Sequence, residues 1–312
     1  MRIAVNGFGP IGRALALRVN GVHGIELAAI NEVAFPIEES RRLLSQMAPS
    51  ESSPVASANA PDELLLGGRS VAWLRIDRPE ELPWAELGID VVIEAAQFFA
   101  RSEMLAQTDG GRIRVLMTGD LREGLPDITI VPCVNQEQFR PEHVVLCAGS
   151  DRTQSLCPVL FLLDRALGLE TFQFAIHRPP YGNREWLVGP RPTDIEQLAR
   201  VMPELARRGR AFRIEDPHAA QATVWLEAML GRKASAGEVG EVFASAAAGR
   251  FSGVVLAGEQ HRCAAGDRHS CLVDLARLHA KDHRVWMEIR YDPVVSYVER
   301  LYDILTYLAS VT

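Results

Sequence analysis

This sequence predicts an α/β fold in two domains, from three observations. A strand, a glycine turn and a helix open the chain and lead into a second strand; short apolar runs of β type recur up to residue 146; and the character of the chain changes beyond Ser150. In order, Ile3-Ala4-Val5 is closed by Asn6-Gly7, after which Ile11, Ala14, Leu15 and Val19 recur at helical spacing up to Gly21. The apolar run Ile25 to Ile30 ends in Asn31-Glu32 and completes a βαβ unit, whose strands pair in parallel. Residues 49–60 carry Pro, Ser and Asn without periodicity and read as a surface loop. Leu64-Leu65-Leu66, Gly67-Gly68 and Ser70 to Leu74 predict a hairpin about a two-glycine turn. Val91-Val92-Ile93, Val115-Leu116-Met117, Ile128 to Val131 and Val144-Val145-Leu146 are further β-type runs.

Past Ser150 a helix-like stretch reaches Leu167-Gly168, and a Pro/Gly-rich segment follows from Arg178 to Pro192. Helical periodicity returns from Ile195 to Leu205, and β-type runs follow at Phe212-Arg213-Ile214, Thr223 to Leu226, Val254-Val255-Leu256 and Val285 to Tyr291. Asp292-Pro293 form an N-cap and N1 pair for an amphipathic helix with Val298, Leu301, Ile304, Leu305 and Leu308 on one face. The domains expected are residues 1–150, with a C-terminal helix 293–312 packing back on them, and residues 151–292.

At 312 residues and 47% hydrophobic content the chain can supply a core for each of two domains, which excludes a disordered chain or a small disulfide scaffold. With 33 basic against 40 acidic side chains the net charge is −7, so nothing draws the whole chain to nucleic acid or an anionic membrane. No run approaches the roughly 18 apolar residues of a spanning helix, and the first strand-like run begins at Arg2, which points to a cytoplasmic protein. Five cysteines without a C-x-x-C fit reduced thiols in that compartment.

Gly7-Phe8-Gly9-Pro10-Ile11-Gly12 matches G-x-G-x-x-G in the context that gives the pattern meaning, between a strand and a helix, with the acidic Glu32 closing the next strand. Gly7 permits the tight turn, Gly9 lets backbone approach a pyrophosphate, and Gly12 allows close helix-to-strand packing, with the helix N-terminus facing the anion. Glu32 accepts hydrogen bonds from ribose hydroxyls and repels a 2′-phosphate, favouring NAD over NADP. A tight turn that binds nothing is the plainer alternative.

The wording VNGFGPIGR resembles the glyceraldehyde-3-phosphate dehydrogenase family, whose members typically begin V-N-G-F-G-R-I-G-R. The resemblance continues through LPWAELGIDVVIEAAQFF (82–99), CVNQEQF (133–139), RVMPEL (200–205) with AFRI (211–214), and YDPVVSYVERLYDILTYLA (291–309). It implies a Rossmann-type dinucleotide-binding domain followed by an α+β substrate domain of that family's type. It also implies a thiolate nucleophile in the pattern S-C-T-T-N-C-L-A-P, which forms a hemithioacetal and then a thioester. Here the matching stretch is Ser150-Asp151-Arg152-Thr153-Gln154-Ser155-Leu156-Cys157-Pro158, with Asp151 in the nucleophile's position, and a carboxylate cannot make that thioester. Cys147 and Cys157 fall in the preceding strand and the second helical turn. Read from the residues alone, Ser150-Asp151 is a helix start.

FAIHRPPY (174–181) places His177 at the family's general base; with Asp151 as its neighbour, the carboxylate would stabilise an imidazolium, as an acid/base pair or a structural one. For anion binding, Arg213 and Ser150 match the family's residues and Arg152 adds a positive charge, while Pro180 and Pro192 fall where threonines are expected. For the cofactor, Pro10 replaces an arginine whose N–H is directed at the pyrophosphate and Pro293 replaces the asparagine that holds the nicotinamide carboxamide. Ala95-Ala96-Gln97 stands for S-T-G, and Ile11 and Thr118 complete the expected cofactor contacts. The loop from His177 to Thr193 spans 16 positions, roughly half the family's length, and in the family it contributes to one tetramer interface, so a dimer is expected instead.

Outside the resemblance, His261-x-Cys263 and His269-x-Cys271 place ligand-type residues at i and i+2; four unrelated residues are the plainer reading, and no metal is expected. The expectation is a family-like pseudoenzyme without the phosphorylating dehydrogenase reaction, binding NAD weakly or a small anionic metabolite and acting through a protein partner. The alternative is an NAD-dependent oxidoreductase acting on an aldehyde or related small phosphorylated substrate, in which His177, aided by Asp151, moves a proton while NAD carries the hydride.

Overall fold

The computed structural model describes residues 1–47, 55–56, 63–96, 100–119, 123–178, 187–190, 192–216, 218, 222–258 and 266–311. They divide into two units, the first made of Met1–Ile130, Glu137–Gly149 and Leu301–Thr312, the second of Val131–Gln136 and Ser150–Arg300.

The first unit holds strands β1 (Arg2–Asn6), β2 (Glu26–Asn31), β3 (Val55–Ala56), β4 (Glu63–Leu66), β5 (Arg69–Leu74), β6 (Val91–Glu94), β7 (Arg114–Met117), β8 (Ile128–Thr129) and β9 (Val145–Cys147), with helices α1 (Pro10–Val19), α2 (Ile37–Met47) and α3 (Arg101–Ala106). Their order in the sheet is β3-β4-β5-β2-β1-β6-β7-β9-β8. β1 lies between β2 and β6, parallel to both. Being central, it reads as an uninterrupted apolar run, Ile3 to Val5, buried on both faces. The hairpin β4–β5 turns at Gly67 and Gly68, φ 57° and 79°, a conformation glycine adopts without cost. α2 was not anticipated, because its eleven residues bury only Ile37, Ser40 and Leu44. The C-terminal helix α8 (Val295–Val311) contributes Leu301, Ile304, Leu305 and Leu308 to the core of this unit, and the Arg18 guanidinium sits 3.6 Å over the Tyr302 ring.

The second unit is built on β10 (Leu169–Arg178), β11 (Leu187–Pro190), β12 (Gly209–Glu215), β13 (Ala222–Leu230), β14 (Val255–Gly258), β15 (Cys271–Asp274), β16 (His279–Lys281) and β17 (Arg284–Tyr291). The sheet order is β11-β12-β10-β13-β17-β15-β14, with β16 on β17. One face is covered by α4 (Asp151–Leu167), α5 (Pro192–Val201), α6 (Pro203–Ala206) and α7 (Ala236–Ala248), whose Leu156, Leu160, Leu198 and Phe243 share a core with Phe172, Phe174 and Ile176 of β10. The helix expected over 195–205 is two helices, since Pro203 has no N–H with which to continue α5. Asp292 caps the last helix as expected, its Oδ1 accepting from the Val294 and Val295 amides at 2.9 Å each, although regular helix begins only at Val295. No helix among the described residues is long and apolar enough to cross a membrane.

Candidate functional site

In the first unit the glycine turn joins β1 to α1. Gly7 has φ +92°, and a Cβ there would lie 2.4 Å from the Ala96 amide nitrogen; at Gly12 it would lie 2.3 Å from the Gly7 carbonyl oxygen. Both glycines are therefore forced by close packing. Gly9 is different, because a Cβ there would meet no heavy atom within 4 Å. That open side lies over the start of α1, where the first-turn amides of Ile11 and Gly12 have no intrahelical partner and exposed Pro10 offers none. A pyrophosphate fits this cradle, with fewer donors than a turn without proline would supply.

Glu32, buried at the end of β2, is turned inward. Its Oε2 accepts from the Phe8 amide at 2.7 Å, and its Oε1 from those of Ala34 at 2.6 Å and Phe35 at 3.3 Å. Arg13 Nη1 donates to the Phe8 carbonyl at 2.7 Å, so the middle residue of Gly7-Phe8-Gly9 is clamped at both ends. Burial lowers the Arg13 pKa, against the opposing pull of Glu32 and Glu39. A carboxylate offers about four lone-pair positions; the three in use here leave room for one ribose hydroxyl. Thr118 follows β7, and its amide donates to the Glu94 carbonyl at 3.0 Å.

Glu94 itself, at the end of β6, was not anticipated. Its carboxylate is enclosed, receiving Asn6 Nδ2 at 2.7 Å, Gln107 Nε2 at 3.1 Å and the Ala96 amide at 2.9 Å. Asn31 Nδ2 donates to Asn6 Oδ1 at 2.8 Å and Trp84 Nε1 to Gln107 Oε1 at 3.0 Å, so one polar chain runs beneath the glycine turn from β2 to Trp84. Burial pushes the Glu94 pKa up to about 7, against these donors, with Glu103 adding to the rise.

In the second unit Ser150 caps α4, its Oγ accepting from the Thr153 amide at 3.2 Å. Arg152 bridges two carboxylates, Asp151 at 3.5 Å and Asp194 at 2.9 Å, the latter only 4% exposed. Burial works against the Arg152 charge, but Asp151 and Asp194 outweigh it and hold the pKa above the ordinary range. Arg213 is buried and ion-paired with Glu215 on its own strand. The expectation of an anion on Ser150, Arg152 and Arg213 thus meets a hydroxyl spent on a helix cap and two cations neutralised internally.

Asp151 and His177 are not neighbours. Phe172, Phe174, Ile176 and Arg178 are the buried residues at this end of β10, on the side covered by α4, and the pleat turns His177 to the opposite face. No hydrogen bond or ion pair joins Asp151 to His177 among the described residues. The partner of His177 is Asp216, 2.9 Å from Nε2, and the ring stacks on Trp225 at 5.2 Å. The His218 amide, with help from His177, holds the Asp216 carboxyl below its usual pKa. The side chain that faces α4 at this end of β10 is Arg178, in register with Glu215 on β12.

Neither cysteine flanking the helix start is poised as a nucleophile. Cys147 is buried and its Sγ accepts from the Gly149 amide at 3.2 Å, while burial raises the pKa of Cys157. Gln97, Pro180, His261 and Cys263 lie outside the described residues. Cys271 is buried and donates to the Ser155 carbonyl, and His269 contacts Asp267 at 2.9 Å; no group of three metal-ligating side chains occurs among the described residues.

Comparison with known proteins gives the following. Residues 1–102 match the family profile described as glyceraldehyde 3-phosphate dehydrogenase, NAD binding domain. The chain is 28% identical over 328 residues to glyceraldehyde-3-phosphate dehydrogenase 1 of Streptomyces avermitilis, covering 97% of both chains. It is 26% identical to glyceraldehyde-3-phosphate dehydrogenase 2 of Bacillus subtilis, over 99% of this chain and 97% of that one. It is 29% identical to the glyceraldehyde-3-phosphate dehydrogenase of Xanthobacter flavus, over 82% of this chain and 81% of that one.

Proposed function

Because the chain belongs to the glyceraldehyde-3-phosphate dehydrogenase family, we propose that it is a divergent member that binds NAD through its first unit and does not carry out the phosphorylating dehydrogenase reaction. One observation carries this reading. At the start of α4, where the resemblance puts a nucleophilic thiol, stands Asp151, with its carboxylate paired to Arg152. A carboxylate has no route to the thioester, and an arginine already shared with Asp194 has little positive charge to spare for a substrate phosphate.

The glycine turn supports retention of the dinucleotide. Gly9 would admit the pyrophosphate, the Ile11 and Gly12 amides would face it, and Glu32 would take a ribose hydroxyl; NAD, when bound, supplies a hydride acceptor. Calorimetric titration with NAD, beside an assay for phosphate-dependent NADH formation from glyceraldehyde 3-phosphate, tests the two halves separately. Binding without turnover is the expected result, and turnover that requires phosphate overturns the pseudoenzyme reading.

The contact of His177 with Asp216 favours a second reading, an oxidoreductase with non-covalent proton transfer, because a partly exposed histidine held by a carboxylate is suited to moving a proton. Hydride transfer to bound NAD from an alcohol or a hydrated aldehyde, whose hydroxyl proton passes to His177, abolished in His177→Ala, would establish it. We also propose that the chain forms a two-fold dimer.

A further inference from the structure

Among the polar groups that the reading above leaves without a role, Glu94 is the most constrained. It is a buried carboxyl at the end of β6, 4% exposed, with both oxygens occupied by donors from three different segments. Asn6 immediately precedes Gly7, and the backbone of Ala96 is the surface against which Gly7 packs. Glu94 therefore holds the two strand ends whose close approach forces glycine at position 7.

We propose that ionised Glu94 is a positioning residue for the dinucleotide turn: by accepting the Ala96 amide together with Asn6 and Gln107 it fixes the crossing of Gly7 over Ala96, so that NAD affinity follows the protonation of this one side chain. The inference rests on the dinucleotide-binding reading above. All three neighbours present donors to the carboxyl: Asn6 through Nδ2, Gln107 through Nε2 and Ala96 through its amide. A carboxylate accepts from all of them; a carboxylic acid sets an O–H against one, and that contact weakens. The contact at Oε1 is a single bond to Ala96, while Oε2 takes both side-chain amides. Protonation at Oε1 thus releases the Ala96 backbone, and with it the floor of the glycine turn. Among the described residues the charged group acting on Glu94 from the packed elements is Glu103, on α3, and it disfavours the ionised form, as burial does. The titration is accordingly displaced upward to about 7, into the range where a dinucleotide-binding protein operates.

The test is calorimetric titration of the full-length chain with NAD between pH 6 and pH 8.5, paralleled by the pH dependence of Trp84 fluorescence in the free protein, assigned by subtraction of Trp84→Phe. Trp84 reports on the network directly, through Gln107. NAD affinity is expected to rise with pH by about three- to tenfold, the effect of one hydrogen bond gained. Glu94→Gln, whose amide carries donors like the protonated acid, is expected to show a flat profile at the level of the wild type's acid limb. Gln107→Leu removes a donor to the carboxylate and is expected to move the midpoint of the affinity profile to higher pH, which keeps the test independent of how well the Gln variant folds. A flat wild-type affinity profile beside a titrating Trp84 overturns the coupling alone. An affinity that falls with pH also overturns it, since repulsion between Glu94 and the pyrophosphate would then outweigh the positioning. NAD that binds at no pH overturns the dinucleotide reading itself and the coupling with it.

Discussion

Asp151 and Glu32 illustrate how far one side chain can decide the chemistry around it. With Asp151 at the start of α4, no phosphate-dependent NADH formation is expected from glyceraldehyde 3-phosphate, measured at 340 nm at any enzyme concentration free of host contaminants. Asp151→Cys places a thiol where the resemblance puts one but leaves Arg152 tied to Asp194, Arg213 tied to Glu215 and Pro293 where the resemblance puts a carboxamide-holding asparagine. Its activity is therefore expected to stay near background, and strong rescue would mean that the remaining site is intact. Glu32 serves the glycine turn first and a ligand second. Glu32→Ala removes acceptors from three backbone amides and is expected to destabilise the chain by about 1–3 kcal/mol, read by chemical denaturation. It is also expected to narrow a preference for NAD over NADP, read by titrating both ligands; tighter NADP binding to the unmodified chain would contradict the role assigned to Glu32.

At the scale of single elements, β6 carries a pH dependence of stability. The Glu94 pKa is about 7 in the folded chain and near the ordinary carboxyl value of 4.5 when unfolded, so in this window the folded state holds the extra proton. Its contribution to stability is therefore full below about pH 4.5, declines as pH rises to about 7, and is constant above that. Urea unfolding across this range is expected to show the decline in the wild type and its loss in Glu94→Gln. The burial cost falls on the whole fold, whereas the three hydrogen bonds act on local geometry, so the ionised form can order the glycine turn while lowering global stability.

Elements such as β1, the β4–β5 hairpin and β17 were legible because their constraint is local, an apolar run or a pair of turn glycines. The glycine turn was legible for the same reason: Gly7 and Gly12 answer to a backbone angle and a close approach. β10 is masked in the sequence by Gly168 before it and the proline-rich segment after it, although LETFQFAIHR alternates at period two. The pairing of His177 with Asp216 was illegible, since 39 residues separate them and only the adjacency of β10 and β12 brings them together. The inward turn of Arg178 depends on strand parity, which a residue pattern matched by type does not specify.

For the molecule as a whole, assembly is the property most open to measurement. The face of the second unit's sheet away from α4 exposes Phe212, Trp225 and Trp286, large apolar side chains of the sort a self-association surface would cover. The loop from His177 to Thr193 spans 16 positions, and because the resemblance assigns this loop to one tetramer interface, a two-fold dimer is expected in dilute solution. Light scattering giving a stable mass near four times 34.4 kDa on dilution would contradict it. The pleat of β10 has a consequence for descent. Inserting or deleting one residue ahead of position 177 exchanges which of His177 and Arg178 looks toward α4. A histidine kept at its place in the sequence can thus serve either face of the sheet, and a comparison that counts retained residue types would not tell the two apart.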